Sequence, residues 1–361
     1  MYGKTILNKM SPYKQGMQIE EVKKQFNLDR IVKLSSNENP YGFSEKVKEA
    51  IQIAALELYP DGYALDLRLA LAEKFNLPKE QFVLGAGSDD LITCICRAFL
   101  HEGTNTIMAN PTFSQYKQHA LIEGAQLIEV PTVNGRHNLE EMARSIDEQT
   151  KVVWVCTPDN PSGAFINEEE FHNFMSKVPE HVLVVLDEAY IEYVDESLHY
   201  NLHANLKKYK NLIVLRTFSK IYGIAGLRIG YGIMDDKLAE LLDIVRGPFN
   251  TTSITQEAAI AALSDDEFVQ KSRSDNEAAL KQFQVDLDHI GWTYYESHTN
   301  FLLVNIPIDA DEFVDYLLQR GFIVRSGNAL GYPKTVRITI GNKDDMKQLS
   351  NVIEQFDKER G

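Results

Sequence analysis

Cysteine is scarce, with three residues in a chain of 361, namely Cys94, Cys96 and Cys156. An odd number without a Cys-x-x-Cys argues against a disulfide framework or a cysteine-built zinc site. It fits buried thiols in a reducing compartment. No apolar run approaches the roughly 18 residues of a membrane-spanning helix. The N-terminal stretch Met1 to Leu7 has no apolar core of a secretory signal, so a cytoplasmic location is expected. Basic residues are in deficit, 37 Lys and Arg against 52 Asp and Glu, for a net charge of −15. Such a chain repels a phosphate backbone, which argues against a nucleic-acid partner. Any anion site must be built locally from particular cations and backbone N–H groups. The nine histidines show no His-Glu-x-x-His spacing, so no metal is expected and most should face solvent.

What is present is ordinary globular material, 44% hydrophobic and 25% charged. Residues 1–44 are polar and broken by Ser11-Pro12 and Asn39-Pro40, and read as an arm with a segment of a smaller domain. From 45 to 254 helix-like and strand-like patterns alternate. Three runs, Lys151 to Cys156, His181 to Leu186 and Leu212 to Leu215, are apolar throughout, as in strands buried on both faces of a parallel sheet. With a helical pattern over Glu168 to Lys177 between two of them, the class is α/β with a mostly parallel central sheet. Residues 255–361 read as a smaller α+β domain. Its expected strands lie at Gly291 to Tyr294, Phe301 to Val304, Phe322 to Val324 and Val336 to Ile340, with helices near 311–319 and 343–358.

Ligands of open parallel sheets bind beyond the carboxyl ends of the strands. There the three buried runs deliver Pro158-Asp159-Asn160-Pro161, Asp187-Glu188-Ala189-Tyr190 and Thr217-Phe218-Ser219-Lys220. An amide, a carboxylate, a phenol and an amine thus gather along one edge. Asp187 follows an apolar run, and a buried carboxylate needs a cation. Lys220 could supply it directly as an ion pair. Alternatively, Asp187 faces a protonated pyridine ring and Lys220 holds that ring's aldehyde as a Schiff base, the two groups pyridoxal phosphate requires. Gly85-Ala86-Gly87-Ser88-Asp89-Asp90 precedes a helical run and offers an anion site at a helix N-terminus, or a plain Ser N-cap. Asp90 stands where a dinucleotide fingerprint needs its third glycine. Ile221 to Arg228 is too glycine-rich for a stable helix and reads as a loop that approaches a ligand closely, and Arg228 offers a forked donor for phosphate.

Asn160-Pro161-Ser162-Gly163, Asp187-Glu188-Ala189-Tyr190, Ser219-Lys220 and Gly226-Leu227-Arg228-Ile229-Gly230, in this order, resemble the signature of the fold type I pyridoxal-phosphate aminotransferases. The resemblance covers nearly the whole chain. It is strongest to the branch acting on histidinol phosphate, through Ser11-Pro12-Tyr13, Ser36 to Gly42, Tyr59 to Gly62, Phe322 to Arg325 and Val336 to Gly341. It implies that Lys220 binds the cofactor and moves the proton. Asp187 then holds the ring nitrogen, and Asn160 and Tyr190 bond the phenolic oxygen. Phe113 stacks on the ring, unless it is an ordinary core aromatic. Ala86, Gly87, Ser88, Thr217, Ser219 and Arg228 complete the cofactor contacts. Tyr59 reaches the cofactor phosphate from a neighbouring subunit, so a homodimer is implied. Tyr13, Asn39, Arg325 and Arg337 are the implied contacts to small-molecule substrates, histidinol phosphate and glutamate. Arg337 would hold a carboxylate and Arg325 a phosphate, or Arg325 is a surface ion pair.

Overall fold

The computed structural model describes residues 3–12, 16–52 and 57–360. Tyr13 lies outside them. The strands in chain order are β1 (Val32–Lys33), β2 (Phe82–Gly85), β3 (Asn105–Asn110), β4 (Gln126–Pro131), β5 (Thr150–Cys156), β6 (Leu183–Asp187), β7 (Leu212–Thr217), β8 (Gly230–Met234), β9 (Phe301–Asn305), β10 (Phe322–Ile323), β11 (Arg325–Ser326) and β12 (Thr335–Thr339). Seven of them form one sheet in the order β2-β8-β7-β6-β5-β3-β4. All neighbours in it are parallel except the two pairings of β8.

The apolar runs form its centre because each side chain finds a core. Val153, Val155, Val184, Leu186 and Val214 enter one hydrophobic cluster, and Val152, Trp154, Val185, Ile213 and Leu215 enter another. Alternate residues of a strand point to opposite faces, so two buried faces require runs that are apolar throughout. Cys94 and Cys96 lie buried in the helix Ser88–Phe99, and the three cysteines are free thiols.

A third cluster joins Leu302, Val304, Val336 and Ile338 to Phe283, Phe313 and Phe356, and it also takes in Val32 and Leu34. Here β11, β12 and β9 form an antiparallel sheet. Strand β1 pairs in parallel with β10, with Val32 opposite Phe322, so the N-terminal segment is sewn onto the C-terminal unit. The expected strand at Gly291 to Tyr294 does not form, and only Tyr294 makes an isolated bridge to Val304. Trp292 turns inward instead, and its Nε1 donates to Asp357 Oδ1 at 2.9 Å. Asp265 is the N-cap of the long helix Asp266–His289. Among the described residues no helix is long and apolar enough to cross a membrane.

Candidate active site

The carboxyl ends of β5, β6 and β7 open into one cavity of about 400 Å³. Asn160, Phe113, Asp187, Tyr190, Thr217, Ser219, Lys220, Arg228, Ser88, Arg325 and Arg337 all line it. Among the described residues four cations and two carboxylates, Asp89 and Asp187, therefore meet there in a chain of net charge −15.

Asp187 is the last residue of β6 and is 3% exposed. Its Oδ2 accepts from the Tyr116 hydroxyl at 2.6 Å, and its Oδ1 from the Ala189 backbone N–H at 3.1 Å. Burial pushes its carboxyl up to about 6, against the pull of these two donors. Among the described residues no ion pair joins it to Lys220, so the plain ion-pair alternative is set aside. A buried carboxylate with two neutral donors and no cation is suited to a protonated ring nitrogen.

Lys220 follows β7 by three residues, and its Nζ donates to the Ser36 carbonyl at 3.3 Å. Burial, helped by the nearby Arg337 charge, lowers its ammonium to about 8. Its Nζ lies 5.4 Å from the centroid of the Tyr190 ring. Tyr190 packs edge-on against Phe301, and burial raises its hydroxyl above the usual tyrosine range. Asn160 Oδ1 is held by Arg337 Nη1, which leaves the Asn160 NH₂ as the donor for the cavity.

At the other end stands the helix Ser88–Phe99, whose first-turn N–H groups have no intrahelical carbonyl. The cap is Gly87, not Ser88, at φ 90°. A Cβ on Gly87 would lie 2.4 Å from Arg228 Nη2, so glycine is what lets the guanidinium close over the turn. Arg228 Nη1 donates to Ser219 Oγ at 3.1 Å, which joins two of the expected phosphate contacts. Two other expected donors are corrected. The Ala86 N–H is taken by the Asp90 carboxylate at 3.0 Å, and the Gly87 N–H by the Gly85 carbonyl at 2.7 Å. The N–H groups left open to an anion are thus those of the first turn from Ser88, beside Ser219 and Arg228.

Arg325 and Arg337 sit directly opposite each other on β11 and β12. Like charges so placed repel unless an anion lies between them. Arg337 is buried, with Nη2 donating to the Ser35 carbonyl at 2.7 Å and the guanidinium 5.2 Å from the Phe301 ring centroid. Both arginines also border a second recess of about 210 Å³ beyond Phe113.

Asn39 is not brought into the cavity. Its Nδ2 donates to the Ile221 carbonyl at 2.7 Å and to Ser272 Oγ at 3.2 Å. Asn37, two residues earlier, lines the cavity instead. Tyr59 is 83% exposed, stacked on Phe249 at 4.8 Å, and outside this cavity. The histidines are less solvent-facing than expected. His101, His181, His203 and His289 are exposed, whereas His137 is buried with Nε2 3.1 Å from Asp159. No group of residues suited to a metal occurs among those described. Tyr116 was missed by sequence reasoning. Its only signal is an aromatic three residues after Phe113, which in a helix turns the two side chains to one side.

The residues present fit pyridoxal phosphate. The carboxylate and amine border the same space, the Asn160 and Tyr190 donors lie on its wall, and an anion cradle stands at one end.

Comparisons with known proteins agree with this geometry. The family model described as aminotransferase class I and II matches residues 29–353. The chain is 51% identical over 364 residues to "Histidinol-phosphate aminotransferase 2" of Oceanobacillus iheyensis, with 100% of both proteins covered. It is 52% identical over 346 residues to the histidinol-phosphate aminotransferase of Brevibacillus brevis, with 95% of each covered. Among solved structures, that of histidinol-phosphate aminotransferase from Sinorhizobium meliloti in complex with pyridoxal-5'-phosphate superposes with a TM-score of 0.90. It shares 26% identity, with 99% of this chain and 98% of that one covered.

Proposed function

The chain belongs to the class I and II aminotransferase family, and from that premise we propose that it transfers an amino group between L-glutamate and imidazole acetol phosphate, yielding L-histidinol phosphate in histidine biosynthesis. Its cofactor is pyridoxal 5'-phosphate. The observation that carries this reading is a single cavity lined by Asp187, Lys220 and two facing arginines. Relatives about half identical over nearly the full chain and named for this activity support the substrate.

Bound there, the cofactor supplies an aldehyde that can hold an amino group and a ring that accepts the electron pair left at the substrate carbon. Asp187 holds a proton at the ring nitrogen. The Asn160 amide and the Tyr190 hydroxyl donate to the phenolic oxygen. Phe113 covers a ring face. Lys220 Nζ, whose ammonium burial lowers to about 8, would take up the proton leaving the substrate carbon and hold it beside the ring. Ser88, Ser219 and Arg228 hold the cofactor phosphate. Arg325 and Arg337 hold the two anionic ends of glutamate in one half-reaction and the phosphate of the imidazole substrate in the other. One pair of cations serves both because both partners are dianionic.

Tyr59 lies among exposed apolar side chains, Leu58, Tyr63 and Phe249. A homodimer would cover them and carry Tyr59 of a second copy to the cofactor phosphate. The expected setting is the cytoplasm.

The cofactor-loaded protein is mixed with histidinol phosphate and, separately, with phenylalanine, and the cofactor's absorption is followed. Histidinol phosphate is expected to change the spectrum at far lower concentration. An equal or greater response to phenylalanine would overturn the substrate assignment.

A further inference from the structure

Tyr190 needs a defined direction of hydrogen bonding. A phenol can donate or accept, and only a donor stabilises an ionised ring oxygen. The Tyr190 hydroxyl is buried and receives the Asn37 Nδ2 hydrogen at 2.9 Å.

The neighbouring bonds agree with that direction. Thr339 Oγ1 accepts the Asn37 backbone N–H at 3.0 Å. Its own hydrogen then points to Asn37 Oδ1, also at 3.0 Å. With its oxygen so engaged, the Asn37 amide faces Tyr190 through NH₂, which can only donate. The Tyr190 oxygen is thereby an acceptor, and its own hydrogen has no protein acceptor among the described residues. That hydrogen is left for the cavity. Asn37 is 1% exposed and held at φ 58°, a conformation asparagine tolerates better than most residues. Its carbonyl is fixed by Asn300 Nδ2 at 3.0 Å.

We infer that Asn37 and Thr339 are positioning residues that fix Tyr190 as a hydrogen-bond donor toward the phenolic oxygen of the cofactor. The inference rests on the pyridoxal-phosphate reading of the cavity. The relay joins three parts of the chain, the N-terminal segment, β12 and the loop after β6. The direction of the Tyr190 hydroxyl thus depends on the C-terminal unit being seated.

The test is a spectral pH titration of the cofactor-loaded protein. A donor at the ring oxygen lowers the pH at which the bound cofactor's band changes. Asn37→Gly keeps the positive-φ backbone and removes the amide. It is expected to raise that pH by about one unit, in the direction of Tyr190→Phe. In the Tyr190→Phe background it should add nothing, because both act through one hydroxyl. Thr339→Val should shift the band likewise, and Thr339→Ser should restore the native value. In steady-state kinetics Asn37→Gly should lower kcat more than it raises KM. Additive shifts, an unmoved band in Asn37→Gly, or an unmoved band in Tyr190→Phe would each overturn the relay. A native protein with no cofactor band at all would instead overturn the reading of the cavity on which the relay stands.

Discussion

Asp187 shows what one residue at a strand end must endure. In water a carboxylate loses its proton near 3.8, but at the foot of this cavity burial pushes Asp187 up to about 6. The folded protein therefore binds that proton more tightly than the unfolded chain does. The stability linked to Asp187 is fully present below about pH 3.8 and is lost as pH rises through about 6. For the cofactor-free protein the loss should be about 3 kcal/mol. Urea unfolding across that interval checks it. Asp187→Asn should flatten the slope, and an unchanged slope would contradict the assignment. Tyr116 stands behind this carboxylate, with its ring stacked on Trp154 at 4.7 Å and 11°. Tyr116→Phe keeps the stack and deletes one charge-assisted bond of about 1.5–3 kcal/mol. The expected outcome is a fall of roughly tenfold or more in kcat, with the substrate KM nearly unchanged, read by steady-state kinetics at saturating cofactor.

At the scale of elements, the helix Ser88–Phe99 and the turn before it would present first-turn N–H groups to an anion beside Arg228. Gly87→Ala places a Cβ against the guanidinium and forces a left-handed alanine. Cofactor affinity, measured by equilibrium dialysis, should fall at least about tenfold, with a stability cost of about 1–3 kcal/mol. Elements were also what the residue pattern announced best. Strands β5, β6 and β7 were legible because two buried faces demand continuous β-branched and apolar residues, and the meeting of Asp187 and Lys220 in one cavity because both follow such runs at one edge of the sheet. Tyr116 and Asn37 were not legible, because each acts across a long separation, 71 residues to Asp187 and 153 to Tyr190. The segment Ser36-Asn37-Glu38-Asn39 offers two equivalent amides. The fold separates them: Asn37, at φ 58°, reaches Tyr190, and Asn39 is held by the Ile221 carbonyl and Ser272. Nor could composition show that Asp90 would take the Ala86 N–H, since that bond exists only once the turn has formed.

At the scale of the molecule, the N-terminal segment is the tie between parts. It donates β1 to the C-terminal unit, offers the Ser36 carbonyl to Lys220, and bridges Thr339 to Tyr190. Among the described residues Tyr59, Tyr63 and Phe249 are large exposed aromatics outside that segment. Analytical ultracentrifugation of the loaded protein should find two copies per particle. Tyr59→Phe should weaken cofactor binding several-fold without dissociating them, because it removes a hydroxyl and keeps the stacking surface. A monomer with full activity would contradict the shared site.

Most depends on Asp187 and Lys220 serving one ring in one cavity. The loaded protein is reduced with borohydride, digested and mapped by mass spectrometry. The expected result is a single cofactor-bearing peptide modified on Lys220, absent from Lys220→Ala. A cofactor fixed on another lysine, or on none, would contradict it.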